Sequence, residues 1–174
     1  TKFVKELENT GTGEGDAADR VLLELCRLAE KRTERSTYQA MQSLIHNLNT
    51  MNSRAGAQVP FTSVNYGTGS SEAARLVIRQ LLQATEDGLG NGETAIFPVQ
   101  IFKVKDGVNS KPGDPNYDLF KQAIRVSAKR LFPNFSFLDA PFNLQYYRPG
   151  DDNSEVAYMG CRTRVMGNVY DTKY

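Results

Sequence analysis

Ile96-Phe97-Pro98-Val99-Gln100-Ile101-Phe102-Lys103-Val104 is a near-continuous apolar run rich in β-branched and aromatic residues. A strand with one face in water alternates apolar and polar side chains, whereas this run is interrupted only at Gln100 and Lys103. It therefore reads as a strand covered on both faces, the pattern of a parallel sheet. Its neighbours supply the connections that such a sheet needs. Upstream, Ser70 or Ser71 opens a helix carrying Ala74, Val77, Ile78, Leu81 and Leu82 at helical spacing, and Gly88 ends it in the left-handed conformation. Before that helix, Gln58 to Tyr66 reads as a strand. Downstream, Asp114-Pro115 is a cap followed by proline at the first helical position. The helix after it runs to about Leu131 and buries Leu119, Phe120, Ala123 and Ile124. Pro133 stops that helix, and Phe135-Ser136-Phe137-Leu138 resumes as a strand. Strand, helix, strand, helix, strand at these spacings argues for parallel βαβ units and an α/β class. A doubly wound sheet and a barrel fit this pattern equally.

The amino-terminal third is helical by the same reasoning. Residues 1–15 form a flexible lead-in, Gly-rich and polar from Thr10 to Gly15. Asp16 caps a helix with Val21, Leu22, Leu25, Leu28 and Ala29 on one stripe, and Cys26 beside them reads as a small core filler. A second helix, about Ser36 to Met51, places Tyr38, Met41, Ile45 and Leu48 on one face, with His46 next to the stripe as a hydrogen-bonded structural residue. Arg54-Ala55-Gly56-Ala57 then turns tightly into the first strand.

The chain has 174 residues, 40% apolar and 24% charged, with a formal net charge of +1. That is enough chain for one domain with a real core, and residues 16–174 are taken as that domain. The charge balance offers no electrostatic footprint for a nucleic acid polymer or an anionic membrane. No apolar run approaches the roughly 20 residues that span a bilayer. Two distant cysteines make neither a disulfide framework nor a zinc motif, and a reducing cytoplasm is the default expectation. Gly88-Leu89-Gly90-Asn91-Gly92 follows a helix rather than a strand, so it lacks the context of a dinucleotide fingerprint.

The chemistry concentrates near the other end. In Ala157-Tyr158-Met159-Gly160-Cys161-Arg162-Thr163-Arg164-Val165-Met166-Gly167-Asn168 a thiol lies between two glycines, in a segment that reads as neither a clean strand nor a clean helix. Glycine permits a tight turn. A buried structural cysteine is one reading. Arg162 and Arg164 favour the other, a reactive thiol on a loop that meets an anion. Met159 and Thr163 lie two positions either side of Cys161, so an extended loop places them on one side.

This run resembles the finger loop of the anaerobic (class III) ribonucleotide reductases, a glycyl-radical enzyme family. Three further stretches resemble the same family in the same order: His46 to Phe61, containing Ser53-Arg54-Ala55-Gly56; Gly88 to Pro98; and Arg130 to Asp139. The likeness extends over about Arg35 to Asp171. It implies part of a ten-stranded α/β barrel, built of two parallel half-barrels with the cysteine loop at its centre. It implies that Cys161 is a transient thiyl acting on ribonucleoside triphosphates, with Met159 and Thr163 bordering the ribose and formate. Arg162 and Arg164 then anchor the loop or meet phosphate, Thr62 and Ser63 face substrate, and Arg54 and Gly56 border a site for dNTP or ATP effectors at a homodimer contact. A glycyl radical installed by an iron–sulfur, S-adenosylmethionine activase, formate as reductant and a carboxy-terminal zinc site are implied for the full enzyme. The family's reductases are several times longer, so the chain reads as an internal fragment, inactive alone because the radical source lies elsewhere. Two rivals stand beside this reading. One is a non-enzymatic nucleotide-binding or dimerisation module in which Cys161 is idle. The other is a thiolate enzyme with His46 as base.

Overall fold

A computed structural model describes residues 17–52, 55–160 and 163–167. Helix α1 (Ala17–Thr50) precedes β1 (Ser63–Tyr66), α2 (Glu72–Asp87), β2 (Val99–Val104), α3 (Tyr117–Arg130), β3 (Asn134–Phe137) and the short α4 (Pro141–Leu144). A 3₁₀ turn at Asp152–Ser154 leads into a hairpin of β4 (Ala157–Met159) and β5 (Thr163–Val165). Strands β1, β2 and β3 form one parallel sheet in that order, with Ser63 opposite Val99 and Ile101 opposite Asn134. The α/β class and the three parallel strands expected from the sequence are present.

Strand β2 is buried along nearly its whole length, and its alternation assigns the two faces. Phe102 and Val104 join Ile78 and Leu82 of α2 and Leu119, Ala123 and Val126 of α3 in one apolar cluster. Gln100 shares that helix-covered face and is satisfied there: its amide donates to the Thr85 hydroxyl and its carbonyl accepts from Tyr66 Oη. A second cluster joins Ile45 of α1 to Leu81 and Ala84 of α2, with Tyr38, Met41, Val64 and Tyr66 packed against it. The helices thus cover one face of the sheet. Polar Lys103 projects from the other, where it meets Glu155.

Several sequence expectations are corrected. The two amino-terminal helices are one helix of 34 residues. The Thr33 and Thr37 hydroxyls donate to the carbonyls of Ala29 and Thr33, bonds made within a continuous helix. Cys26 is only half-buried, and Val21, Leu22, Leu25 and Leu28 beside it are exposed, because α2 packs against the later part of α1 around Ile45. The first strand begins at Ser63 rather than Gln58, and β2 begins at Val99 rather than Ile96. Asn49 explains the second shift: its Oδ1 accepts from the Ile96 and Phe97 amides and its Nδ2 donates to the Phe97 carbonyl, occupying groups that a ladder would use. Asn116, not Asp114, occupies the cap position of α3; the Asp114 carboxylate instead accepts from the Lys111 amide. Ile124 is exposed and Val126 takes the expected core place. Gly88 does carry a positive φ, +79°, but with ψ −163° it leaves α2 extended rather than left-handed. The Ser71 cap of α2 is as read, and Ile78, Leu81 and Leu82 of its stripe are buried, whereas Val77 is exposed.

Phe102 is fully buried at the centre of the main cluster, so Phe102→Ala should cost about 3–5 kcal/mol. Ile124→Ala, at an exposed site on the same sheet cover, should stay within about 0.5 kcal/mol. Denaturant unfolding of the two variants checks the contrast, and equal losses would contradict this assignment of the core.

Candidate functional site around the β4–β5 hairpin

The segment carrying the thiol motif has a short antiparallel stem. Ala157 pairs with Val165, Tyr158 with Arg164 and Met159 with Thr163. Met159 and Thr163 are direct cross-strand partners, so they lie on one face of the hairpin, and both are exposed. Tyr158 and Arg164 take the opposite face. The segment is thus no single strand: two three-residue strands flank the turn at Gly160. Gly160 turns the chain with φ +63°. Gly167 serves a different need, because a Cβ there would meet the Asn153 Cβ at 2.8 Å while its amide donates to the Asn153 carbonyl. Residues 160–162 connect the two strands. Cys161 and Arg162 lie outside the described residues.

The outer edge of β4 is held by side chains of β1. Asn65 Nδ2 donates to the Tyr158 carbonyl at 2.7 Å, and Asn65 Oδ1 accepts from the Tyr158 amide at 2.9 Å. One carboxamide thus does for Tyr158 what the peptide group of an adjacent strand would do. Ser63 Oγ accepts from the Gly160 amide at 3.1 Å. The Phe61 ring, in edge contact with Phe97 at 5.2 Å between centroids, closes over Gly160: a Cβ there would be 3.3 Å from it. Gly160 therefore sits at the amino end of β1, on the face that the helices do not cover.

A second attachment lies just before β4. Glu155 accepts from Lys103 Nζ and Lys105 Nζ, each at 2.9 Å. These three side chains are largely buried, with exposures of 19%, 14% and 30% for Glu155, Lys103 and Lys105. Burial opposes the Glu155 charge, but hydrogen bonds from Lys105 and Lys103 outweigh it and hold the carboxyl below its ordinary value. The bond to Glu155 raises the Lys105 pKa, against the opposing effect of burial.

The remaining expected site residues separate into different settings. The Arg164 guanidinium donates to the Phe142 carbonyl and stacks on the Phe142 ring at 5.4 Å, so it anchors the hairpin to α4. The Thr62 carbonyl accepts from the Val99 amide, while its hydroxyl lies 3.5 Å from the Pro60 carbonyl. Gly56 sits in an exposed turn with φ +101° and open space beside it, remote in sequence from the hairpin. Arg54 lies outside the described residues. His46 is half-buried on α1, and its carbonyl accepts from the Thr50 hydroxyl. In the glycine-rich loop after α2, Arg130 donates to the carbonyls of Glu86, Asp87 and Gly92, and the Asn91 amide is taken by Glu93. Among the described residues, no cluster of three or more His, Cys, Asp or Glu side chains is arranged to hold a metal ion, and no helix is long and apolar enough to cross a membrane.

A sequence profile of the anaerobic ribonucleoside-triphosphate reductases matches residues 1–173. The chain belongs to this family. It is 41% identical over 136 residues to the anaerobic ribonucleoside-triphosphate reductase of Salmonella typhimurium, a match covering 78% of this chain and 18% of the relative. The Escherichia coli enzyme of the same name is 40% identical over the same coverage. The enterobacteria phage T4 enzyme is 34% identical over 149 residues, covering 85% of this chain and 24% of its own length. The chain thus spans about a fifth to a quarter of these relatives. The profile match also takes in the first residues, beyond the Arg35–Asp171 stretch in which the motifs were legible.

Two residues of this family member, Asn65 and Glu155, were not singled out by sequence reasoning. The signal for Asn65 was available: Val64 and Tyr66 face the helices, which leaves Ser63 and Asn65 as polar residues on a covered face. Glu155 offered none, since its partners, Lys103 of β2 and Lys105 just after it, lie some fifty residues away. Glu155 yields a pH test. Its pKa is lowered from the ordinary 4.5, so its stabilisation is present above about pH 4.5 and disappears as pH falls through the lowered value. The Lys105 pKa is raised from 10.5, so its contribution is present below about pH 10.5 and lost on going above the raised value. Glu155→Gln should therefore lower the thermal midpoint by a constant amount from about pH 5.5 to 9.5, with the gap to wild type closing at either extreme. A gap that widens in acid would contradict the ion triad.

Proposed function

We propose that this chain is the part of an anaerobic ribonucleoside-triphosphate reductase that carries the hydrogen-abstracting thiol, Cys161. The observation that carries the reading is the cross-strand pairing of Met159 with Thr163 in a member of this family. This pairing puts two side chains suited to lining a ribose and a formate on one face of the hairpin whose connection contains Cys161. Removing hydrogen from an unactivated sugar carbon is beyond any acid–base pair at neutral pH. A thiyl sulfur suits the task, because the S–H and ribose C–H bonds are similar in strength and the transfer is nearly reversible. Cys161 takes the 3′ hydrogen as an atom, the 2′ hydroxyl leaves as water, and Cys161 returns hydrogen to the 3′ carbon. Formate supplies the two electrons and leaves as carbon dioxide, so ribonucleoside triphosphate plus formic acid gives deoxynucleotide, water and carbon dioxide.

The other residues take supporting parts in this proposal. Thr163 presents a neutral hydroxyl where a carboxylate would repel formate. Arg164 fixes the hairpin against α4, and Arg162 meets a substrate phosphate, with Thr62 and Ser63 at the edge of the substrate space. Arg54 and Gly56 border the site of a dNTP or ATP effector, between the two subunits of a homodimer. Sequential strand order with all the described crossover helices on one face supports placing β1 to β3 in the wall of a ten-stranded barrel. The glycyl radical, which supplies the oxidising equivalent when formed by a radical S-adenosylmethionine activase, and the zinc site are assigned to parts of the full protein beyond this chain.

In the full-length activated enzyme, Cys161→Ser should abolish deoxynucleotide formation without unfolding the protein, while Cys26→Ala retains turnover. Reduction by Cys161→Ser at the wild-type rate would refute the assignment and favour a nucleotide-binding module with an idle cysteine. Arg54→Ala should weaken effector binding by about 1.5–3 kcal/mol, the range for a hydrogen bond to a charged group. Titration calorimetry reads it directly, and unchanged affinity would return Arg54 to a structural role.

A further inference from the structure

We infer that Asn65 is the positioning residue for the thiol loop, setting through its bracket on Tyr158 where the β4–β5 connection holds Cys161. The inference rests on the reading of Cys161 as the hydrogen-abstracting group, and concerns a residue that this reading does not itself require.

Three observations carry it. Asn65 is a polar side chain on the covered, non-helical face of β1, a placement that is costly unless both its donor and its acceptor are satisfied. Both are satisfied by one peptide position, the carbonyl and amide of Tyr158, at 2.7 and 2.9 Å. The contact is also reinforced at the next outward-facing amide, where Ser63 Oγ accepts from Gly160. Ser63 and Asn65 are alternate residues of one strand, and Tyr158 and Gly160 are alternate residues of the hairpin, so the two contacts fix translation along β1 as well as distance from it. Cys161 follows Gly160 directly in the chain. Strand β1 is itself held in register by β2, from Ser63 opposite Val99 to Tyr66 opposite Phe102. The placement of the hairpin is therefore referred to the most buried strand of the sheet.

The bracket needs an amide and no other group. Asp at 65 has the same shape and still accepts from the Tyr158 amide, but it sets an anionic oxygen against the Tyr158 carbonyl. Ala leaves both Tyr158 groups without this partner. A hydrogen-atom transfer depends steeply on the separation of the reacting atoms, and a displacement of about 1 Å can cost about 100-fold in rate.

The test uses the full-length activated reductase with Asn65→Asp, Asn65→Ala and Ser63→Ala, assayed with ordinary and 3′-deuterated ribonucleoside triphosphate. For Asn65→Asp we expect kcat to fall about 10- to 100-fold and KM to stay within about twofold, with the thermal midpoint lowered but the protein still folded at the assay temperature. The deuterium effect on kcat should rise above the wild-type value, since the misplaced thiol makes hydrogen transfer limiting. Ser63→Ala should move the same quantities in the same direction by a smaller factor, and decides the matter if neither Asn65 variant folds. Wild-type kcat and isotope effect in a folded variant would overturn the inference. So would a fall in kcat that tracks a loss of folded protein with the isotope effect unchanged, because that marks a structural role alone. Cys161→Ser is run alongside: full turnover there would remove the underlying reading, whereas a dead Cys161→Ser beside fully active Asn65 and Ser63 variants would remove only this one.

Discussion

The structure depends on β2 being satisfied on both of its faces at once. Phe102 and Val104 are buried under α2 and α3, while Lys103, one residue away on the opposite face, ends on Glu155. A strand in that position cannot shift by one residue without driving a lysine into the helix-side cluster and Phe102 against the ion triad. The register with β1 and β3 follows from that constraint, and the attachments of the hairpin follow from the register. Ser63 and Asn65 reach β4 because Val64 and Tyr66 are committed to the other side.

The two covers differ in chemistry. On the helix side the polar groups are few and closed on themselves: Tyr66, Gln100, Thr85 and the Leu81 carbonyl form a chain in which each donor has an acceptor. Burial pushes the Tyr66 hydroxyl far above its ordinary pKa, so it stays a neutral donor. On the opposite face Val99 and Ile101 are also buried and the Phe61 ring lies over Gly160, but the hydrogen-bonded attachments are directional: one amide bracket, one serine and one carboxylate between two lysines. Apolar packing there would hold the hairpin without fixing its position along the strand, whereas hydrogen bonds of fixed geometry define it. A site that must present one sulfur atom to one carbon atom requires the second kind of contact.

Legibility from sequence followed the same division. The βαβ order, the Ser71 cap and the α2 stripe could be read because local periodicity determines them. The long α1 could not, because its two apolar stripes are separated by the polar stretch from Lys31 to Thr37, which reads as a break although the helix runs through it. Cys26 was placed in a core that α2 reaches only further along α1. That Met159 and Thr163 share a side was legible from their spacing about Cys161, but their pairing across a hairpin was not. The Glu155 triad and the Asn65 bracket join residues about fifty and ninety-three positions apart, and no window along the chain contains either. Arg164 was read as a loop anchor or a phosphate ligand, and it contacts the Phe142 carbonyl and ring.

The central claim is that the stem of the thiol hairpin is fixed to the sheet through two of its own amides. Residue-resolved hydrogen exchange on the full-length protein tests it most directly, at the amides of Tyr158 and Gly160. Slow exchange at both, lost at Tyr158 alone in Asn65→Ala and at Gly160 alone in Ser63→Ala, is the result that this structure predicts. Exchange at the rate of an open chain in the wild-type protein would show that the hairpin is not held by β1, and the account of the site would fail with it.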